Sequence, residues 1–403
     1  MPSGFFPAAA VGTRPPPPST TPRCSTCGLH RTCNSPKMPV TGQGKYGVLV
    51  VAEAPGETED DKGVQLVGKS GQKLRQVLRQ FDIDLDKHCW KTNAVICRPP
   101  DTPTDEQVEC CRPNIIRTIE ELKPHCIILL GAVAVKSVIS PLWRRGEDPG
   151  GIGRWVGWQI PSQELNTWIC PTYHPSYVLR SSKEPVVELL FARHLEAAFH
   201  VQLKGCPWPD GVPDYAKRVE VIYEPDRAAS WLRKIKSGSR AAFDYETNML
   251  KPDGTDARII SCAVCWEGKR TIAFPWHGDA VVAMVELLLD PTIEKWGANI
   301  KFEQRWTRAL LGRNVRNWGW DTMLAAHVLD HRPGVTSLDF QAFVQLGQKP
   351  WGDEIAPYFK SERSNAPNRI KEVDLGSLLR YNGLDALTTW KLAVKQRELL
   401  GVK

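Results

Sequence analysis

From residue 45 to about residue 200, short apolar runs alternate with stretches of helical periodicity. The runs 48–51, 94–96, 127–130 and 168–170 are continuously apolar, the pattern of strands buried on both faces. Between them, 71–81 and 114–122 repeat apolar positions at helical spacing. Together they predict an α/β domain with a largely parallel, doubly covered sheet. Residues 204–217 break the rhythm with Cys206-Pro207-Trp208-Pro209-Asp210-Gly211 and are expected to form a linker. Beyond Arg218, strand-like segments at 241–246, 259–266 and 270–274 follow one another, and helical patterns then dominate through Leu400. Residues 1–22, with four consecutive prolines at 15–18, are expected to be a disordered or polyproline tail. The predicted layout is that tail, a first domain at 23–203, the linker, and a second domain at 218–403.

Composition adds limits. A chain of 403 residues suits two or three domains, and 42% hydrophobic residues suffice for real cores. The formal charge of +7 is a mild bias toward anionic partners, and carboxylates gathered in one site would mask part of a basic track. Twelve cysteines invite a disulfide framework, but Met1 to Ala10 lacks a secretory pattern and no apolar run has membrane-spanning length. A soluble protein of the reducing cytoplasm, without a membrane partner, is therefore expected, with some cysteines as metal ligands. Most of the fifteen tryptophans are expected to pack cores or interfaces.

The second domain carries Asp244-Tyr245-Glu246, then Asn299-Ile300-Lys301-Phe302-Glu303, then Tyr381-Asn382-Gly383-Leu384-Asp385. Residues two apart on a strand share a face, which aims Asp244 and Glu246 into one site. Residues four apart on a helix also share a face, pairing Asn299 with Glu303 and Tyr381 with Asp385. Carboxylates brought together this way repel unless cations neutralise them. Two Mg2+ or Mn2+ ions about 4 Å apart would activate a water and stabilise the leaving oxygen of a phosphodiester. Tyr381 would orient or help deprotonate that water. These residues, with Asp321-Thr322-Met323-Leu324 between the second and third segments, resemble the 3'→5' proofreading exonuclease domain of family A DNA polymerases, the tyrosine-bearing branch of the DnaQ-like superfamily. The resemblance covers about 218–403 and implies a ribonuclease-H-like fold. It also implies metal ligands at Asp244, Glu246, Glu303 and Asp385. The family usually has aspartate where this chain has Glu303; the longer side chain would shift metal spacing and slow the reaction. Asp321 reads as the N-cap of the helix that follows it.

In the first domain, Glu53 follows the run Val48-Leu49-Val50-Val51, Asn93 lies beside the apolar 94–96 run, and His174 follows Trp168-Ile169-Cys170. Ligand-binding groups of open α/β sheets collect at the carboxyl ends of strands. Glu53-Ala54-Pro55-Gly56, Glu59-Asp60, Val67-Gly68-Lys69-Ser70-Gly71, Thr92-Asn93, Cys97-Arg98-Pro99-Pro100, Leu130-Gly131 and His174-Pro175-Ser176-Tyr177 together resemble the family 4 uracil-DNA glycosylases, over about Cys24 to Arg180. The resemblance implies that Glu53 stabilises the developing oxocarbenium charge and that Asn93 binds the pyrimidine edge. His174 would stabilise the departing base, while Tyr177-Val178-Leu179 presses into the duplex as the nucleotide flips out. Arg180 and Lys69 are candidate phosphate contacts. Where the family places phenylalanine to stack on uracil, this chain has Leu66, which loses the π-face and weakens excision or alters base preference.

Cys24 and Cys27 form a CxxC, and Cys97 and Cys111 come from the middle of the domain. That spacing alone suits a structural zinc site equally well. The family resemblance implies a four-iron, four-sulfur cluster on these four thiols. It prefers Cys111 over Cys110 because Arg112-Pro113 follows, and leaves Cys33 spare. The whole chain is expected to be a bifunctional DNA-processing hydrolase that excises uracil and degrades or proofreads DNA 3'→5' beside a separate polymerase. A bacteriophage is a setting that suits such a fusion. The other reading is a DNA-binding accessory subunit with both sites relaxed at Leu66 and Glu303.

Overall fold

The computed structural model describes residues 21–144, 148–268, 270–363 and 366–402; residues 1–20 of the expected tail lie outside them. The chain divides into two compact units. One holds the described residues up to Val212 together with Phe343–Lys349; the other holds Pro213–Ala342 and the residues from Pro350 on.

In the first unit, five strands form one sheet: β1 (Val48–Ala52), β2 (Cys89–Asn93), β3 (Cys126–Leu130), β4 (Ile160–Ser162) and β5 (Thr167–Thr172). Their order is β2-β1-β3-β5-β4. All pairings are parallel except β4 with β5. Every residue of β1 and β3 is buried, as the continuous apolar runs require of strands covered on both sides. On one face, Val48, Val50 and Ala52 pack with Leu74 of helix Lys69–Leu78 and Phe191 of helix Pro185–Gln202. Helix Ala132–Ile139 packs against β1 and β3, beside helix Asp105–Leu122.

Two expectations shift here. The strand expected at 94–96 lies at Cys89–Asn93, and 94–96 form the loop that follows it. Lys91 hid that strand: it is 1% exposed, and its ammonium is neutralised by the Asp86 carboxylate. The helix expected from residue 114 begins at Asp105, where Thr104 and Gln107 form a reciprocal capping box. Pro113 sits inside it. The expected linker also contributes to this unit: the Trp208 indole donates to the Pro161 carbonyl at 3.0 Å, and Trp168 Nε1 donates to the Gly205 carbonyl at 3.0 Å.

The second unit is built on a six-stranded mixed sheet of β6 (Val219–Val221), β7 (Arg240–Thr247), β8 (Ile259–Trp266), β9 (Arg270–Pro275), β10 (Glu294–Gly297) and β11 (Trp318–Asp321). The order is β11-β10-β7-β8-β9-β6. β7, β8 and β9 form an antiparallel meander, while β10, β11 and β6 add in parallel. This is the ribonuclease-H-like arrangement expected from the sequence. Alternation along β7 sends Ala241, Phe243 and Tyr245 into one core with helix Asp279–Leu289. Ala242 faces the other way, against Leu379 and Ala386 of the long helix Leu375–Leu399. Asp244 and Glu246 share the face of Ala242, so this helix is the element that meets them. Among the described residues, no helix is long and apolar enough to cross a membrane.

Candidate active sites

Parallel pairing puts the carboxyl ends of β1, β2, β3 and β5 along one edge. Glu53 is the first residue beyond β1, and Asn93 is the last of β2, directly opposite Ala52. Asn93 thus occupies a strand end like Glu53 and His174. Its side chain is 2% exposed, and its amide Nδ2 has no hydrogen-bond partner among the described residues. An orphaned donor at such a depth is costly unless a ligand supplies the acceptor. The loop behind it is tied down where the Val95 N–H donates to the Glu53 carbonyl at 3.1 Å.

His174 caps helix Pro175–Arg180, its Nδ1 accepting from the Ser176 N–H at 3.2 Å, with Ser176 Oγ at 2.7 Å. A backbone N–H can only donate, so Nδ1 carries no proton and the neutral ring bears its hydrogen on Nε2. Burial, aided by the Arg180 guanidinium, pulls the His174 pKa down to about 4. Gly131 packs against this residue: φ is +87°, and a Cβ would fall 2.9 Å from His174 Cβ, so only glycine fits. Burial raises the Glu53 carboxyl, and Arg180 opposes that rise. Glu53, His174 and Arg180 therefore form one electrostatic cluster. In the short helix, Val178 is 3% exposed and anchors it, while Tyr177 and Leu179 are each 41% exposed. Lys69 is exposed at the start of helix Lys69–Leu78.

Leu66 is 5% exposed and packs into the core of this unit, with a backbone φ of +55°. Glu59 holds the loop around it by accepting from Val67 N at 3.1 Å and Gly68 N at 2.7 Å. Asp60, 2% exposed, accepts from Asn34 N and Ser35 N at 3.0 and 2.8 Å, which fastens the cysteine-bearing segment to the sheet edge.

Cys24, Cys27, Cys97, Cys110 and Cys111 line one small cavity. Cys111 Sγ accepts from Ile96 N at 3.4 Å and Asn114 Nδ2 at 3.5 Å, and Cys97 Sγ accepts from Lys37 N at 3.2 Å. Such donors stabilise sulfur once it is charged. Burial pushes the Cys97 thiol up to about 12 and the Cys111 thiol upward too, so both keep their protons until a cation replaces them. Cys110 lines the same cavity, and Cys33 stands beside Cys97 in hydrogen-bonding contact. The donor set fits an iron–sulfur cluster.

In the second unit, ligand oxygens of Asp244, Glu246 and Asp385 lie within 4.8 Å of one another. Glu303 falls outside that set. It is 2% exposed, close enough for its charge to raise Glu246, and its Oε2 has no partner among the described residues. Burial lifts the Asp244 carboxyl to about 7 and drives Glu246, Glu303 and Asp385 well above the usual carboxylate range, with mutual repulsion adding to it. Groups this crowded fit divalent cations, which would relieve both penalties. The Tyr381 hydroxyl hydrogen-bonds Asp385, and burial beside that carboxylate holds the phenol well above its ordinary value. Asn299 caps helix Ile300–Leu311 in a left-handed conformation (φ 63°), so it does not share a helical face with Glu303. Asp321 takes its expected structural place and goes further: besides capping its own helix through Met323 N and Leu324 N, it accepts from Asn299 N at 3.0 Å and Ile300 N at 3.1 Å.

A model of the uracil-DNA glycosylase superfamily matches residues 39–197, and a 3'-5' exonuclease model matches residues 219–399. The type-4 uracil-DNA glycosylase of Pyrobaculum aerophilum is 38% identical over 165 residues, 39% of this chain and 80% of that protein. The type-4 enzyme of Thermotoga maritima is 31% identical over 187 residues, 45% of this chain and 92% of that protein. The chain belongs to the type-4 uracil-DNA glycosylase family. To that glycosylase is fused a 3'-5' exonuclease domain, which makes the chain a hydrolase with two DNA-processing domains. A DNA polymerase of Bacillus phage SP01 is 25% identical over 328 residues, 73% of this chain and 34% of that protein. At that coverage the alignment exceeds what either matched region can hold and so reaches into both.

Sequence reading missed two residues at the exonuclease site of this fused glycosylase. Asn382 Nδ2 donates to Asp244 Oδ2, and Trp351 Nε1 donates to Asp385 Oδ1, each at 2.8 Å. Asn382 lies inside the third motif and could have been found from its neighbours; Trp351 lies in irregular chain, and its sequence context gives no signal.

Proposed function

We propose that the first unit hydrolyses the N-glycosidic bond of deoxyuridine in DNA and that the second removes nucleotides from DNA 3' ends. The observation that carries this reading is that each site gathers, among the described residues, polar groups whose needs the protein does not meet. Asn93 offers an unused amide donor, and the acidic site offers carboxylates with no cationic side chain among them.

At the glycosylase site, Asn93 Nδ2–H donates to O4 of uracil, where cytosine would present a donor and be repelled. Neutral His174 donates from Nε2 to the base oxygen that gains charge as the bond breaks. Glu53 faces the sugar, stabilises its positive charge and orients the attacking water. Tyr177 and Leu179 enter the duplex on the rigid Val178 anchor while the nucleotide is extruded. Arg180 and Lys69 contact flanking phosphates. Cys24, Cys27, Cys97 and Cys111 would hold a 4Fe–4S cluster, a structural brace for the N-terminal segment.

At the exonuclease site, Asp244, Glu246, Asp385 and Glu303 would hold two Mg2+ or Mn2+ ions, which supply an activated water and stabilise the leaving oxygen when bound. Tyr381 orients the attacking water through its hydroxyl. Asn299, at the mouth of helix Ile300–Leu311, contacts the terminal nucleotide. The phage polymerase alignment supports a role in DNA replication; a separate polymerase is the proposed partner, and a bacterial or infected-host cytoplasm the proposed setting.

The test is one labelled oligonucleotide assay on iron-loaded protein. Uracil-containing DNA should become alkali-sensitive at the uracil, and Mg2+ should produce laddering from the 3' end. Binding without either product would replace this reading with that of an accessory DNA-binding subunit.

A further inference from the structure

Each aspartate of the exonuclease site has one oxygen already engaged by a neutral N–H donor. Asn382 is fully buried, and its Nδ2 reaches Asp244 Oδ2 at 2.8 Å and the Asp244 carbonyl at 3.3 Å. The Ser261 hydroxyl donates to Asn382 Oδ1 at 2.9 Å. A carboxylate only accepts, so the amide must turn its nitrogen to Asp244, and Ser261 secures the opposite end. Ser261 sits directly across from Glu246 in the β7–β8 pairing. The sheet register that places one metal-binding carboxylate thus orients another through Ser261 and Asn382.

Trp351 does the same for Asp385. An indole has one donor and no acceptor, and here the donor is spent on Asp385 Oδ1 at 2.8 Å. Gly352 permits the approach: a Cβ there would lie 3.0 Å from the Tyr381 ring and push it aside. Lysine or arginine in either place would compete with a divalent cation for the carboxylate. Neutral donors fix orientation without that competition.

We propose that Asn382 and Trp351 are positioning residues that immobilise one oxygen of Asp244 and of Asp385 and so fix the orientation in which these carboxylates would meet cations. This rests on the exonuclease reading above. Both act through the carboxylates they hold, so their effect is on metal affinity and, through it, on rate.

The experiment measures Mn2+ uptake by the iron-loaded full chain, from loss of the free-ion paramagnetic resonance signal, beside the Mg2+ dependence of 3' laddering. Trp351→Phe and Asn382→Ala should each weaken Mn2+ binding by about tenfold, the lower end for partners of metal ligands. Half-maximal laddering should need correspondingly more Mg2+, and the rate at saturating Mg2+ should return to near the parent value. Ser261→Ala should give a smaller shift in the same direction. If Asn382→Ala fails to fold, judged by loss of the exonuclease unit's cooperative thermal transition, Trp351→Phe and Ser261→Ala decide. Parent-like Mn2+ affinity with a lowered rate would overturn the proposal while leaving the exonuclease reading intact. A parent chain that takes up no Mn2+ would overturn that reading as well.

Discussion

The two active sites solve opposite electrostatic problems. The glycosylase edge carries the half-buried carboxyl of Glu53, a histidine held neutral, and an amide donor without a partner among the described residues. In the proposed function this edge receives a neutral base. The exonuclease site crowds Asp244, Glu246 and Asp385 within 4.8 Å, with Glu303 buried alongside. It stores repulsion that cations would release. The proposed chemistry divides the same way, with hydrogen bonding at one site and metal at the other.

The sharpest way to break that contrast is to remove one functional side chain from each site. Asp244→Ala should abolish 3' laddering and leave uracil excision unchanged. His174→Ala should lower uracil excision by about 10²–10³-fold, the usual cost of losing a transition-state donor, and leave laddering unchanged. An oligonucleotide carrying both a uracil and a free 3' end reads both outcomes in one gel.

Acidity sharpens the contrast next. In the metal-free protein, Asp244 titrates near 7 rather than at its ordinary 3.8. The folded state then binds a proton that the unfolded state has already lost, so stability falls as pH rises from about 4 through 7. The expected thermal unfolding profile in chelator declines over that window, and added Mg2+ restores the midpoint at neutral pH. The glycosylase should behave differently. With His174 at about 4, uracil excision should show no inflection near pH 6.5, where an ordinary histidine titrates. A single-turnover pH profile with such an inflection would mean that the ring is charged in use.

Leu66→Phe is the smallest of these changes. A stacking ring is worth about 1–3 kcal/mol, and a gain of a few-fold in uracil excision is expected. The side chain is already 5% exposed within a packed core, which costs part of that gain through overpacking. Steady-state excision on a uracil duplex measures it.

Legibility in the sequence followed the same physics. Strands whose every residue is apolar, such as β1 and β3, declared themselves. Five strands did not, β2 and β4 in the first unit and β6, β10 and β11 in the second, and two of them, β2 and β10, each contain a buried lysine. Lys91 in β2 is neutralised by Asp86, while Lys295 in β10 is fully buried and donates to the Ile293 carbonyl at 2.9 Å. A lysine scores as solvent-facing unless its partner is known, and the partner here comes from tertiary structure or a neighbouring turn. Pro113 similarly hid the first half of helix Asp105–Leu122, although Thr104 and Gln107 had signalled its start. Most of the acidic cluster was legible because strand and helix periodicities bring its members to common faces. Trp351 was not, because irregular chain has no periodicity to read.

The opposition of Ala52 and Asn93 in the β1–β2 pair has a mechanical corollary. Neighbouring strands are held roughly 4.8 Å apart by their backbone ladder, so the span from the Glu53 carboxyl to the Asn93 amide is gauged by main chain. Polishing side chains around the pocket would retune affinity but leave that gauge untouched. Inserting a single residue into β2 would move the amide by one ladder step and turn it to the opposite face of the sheet.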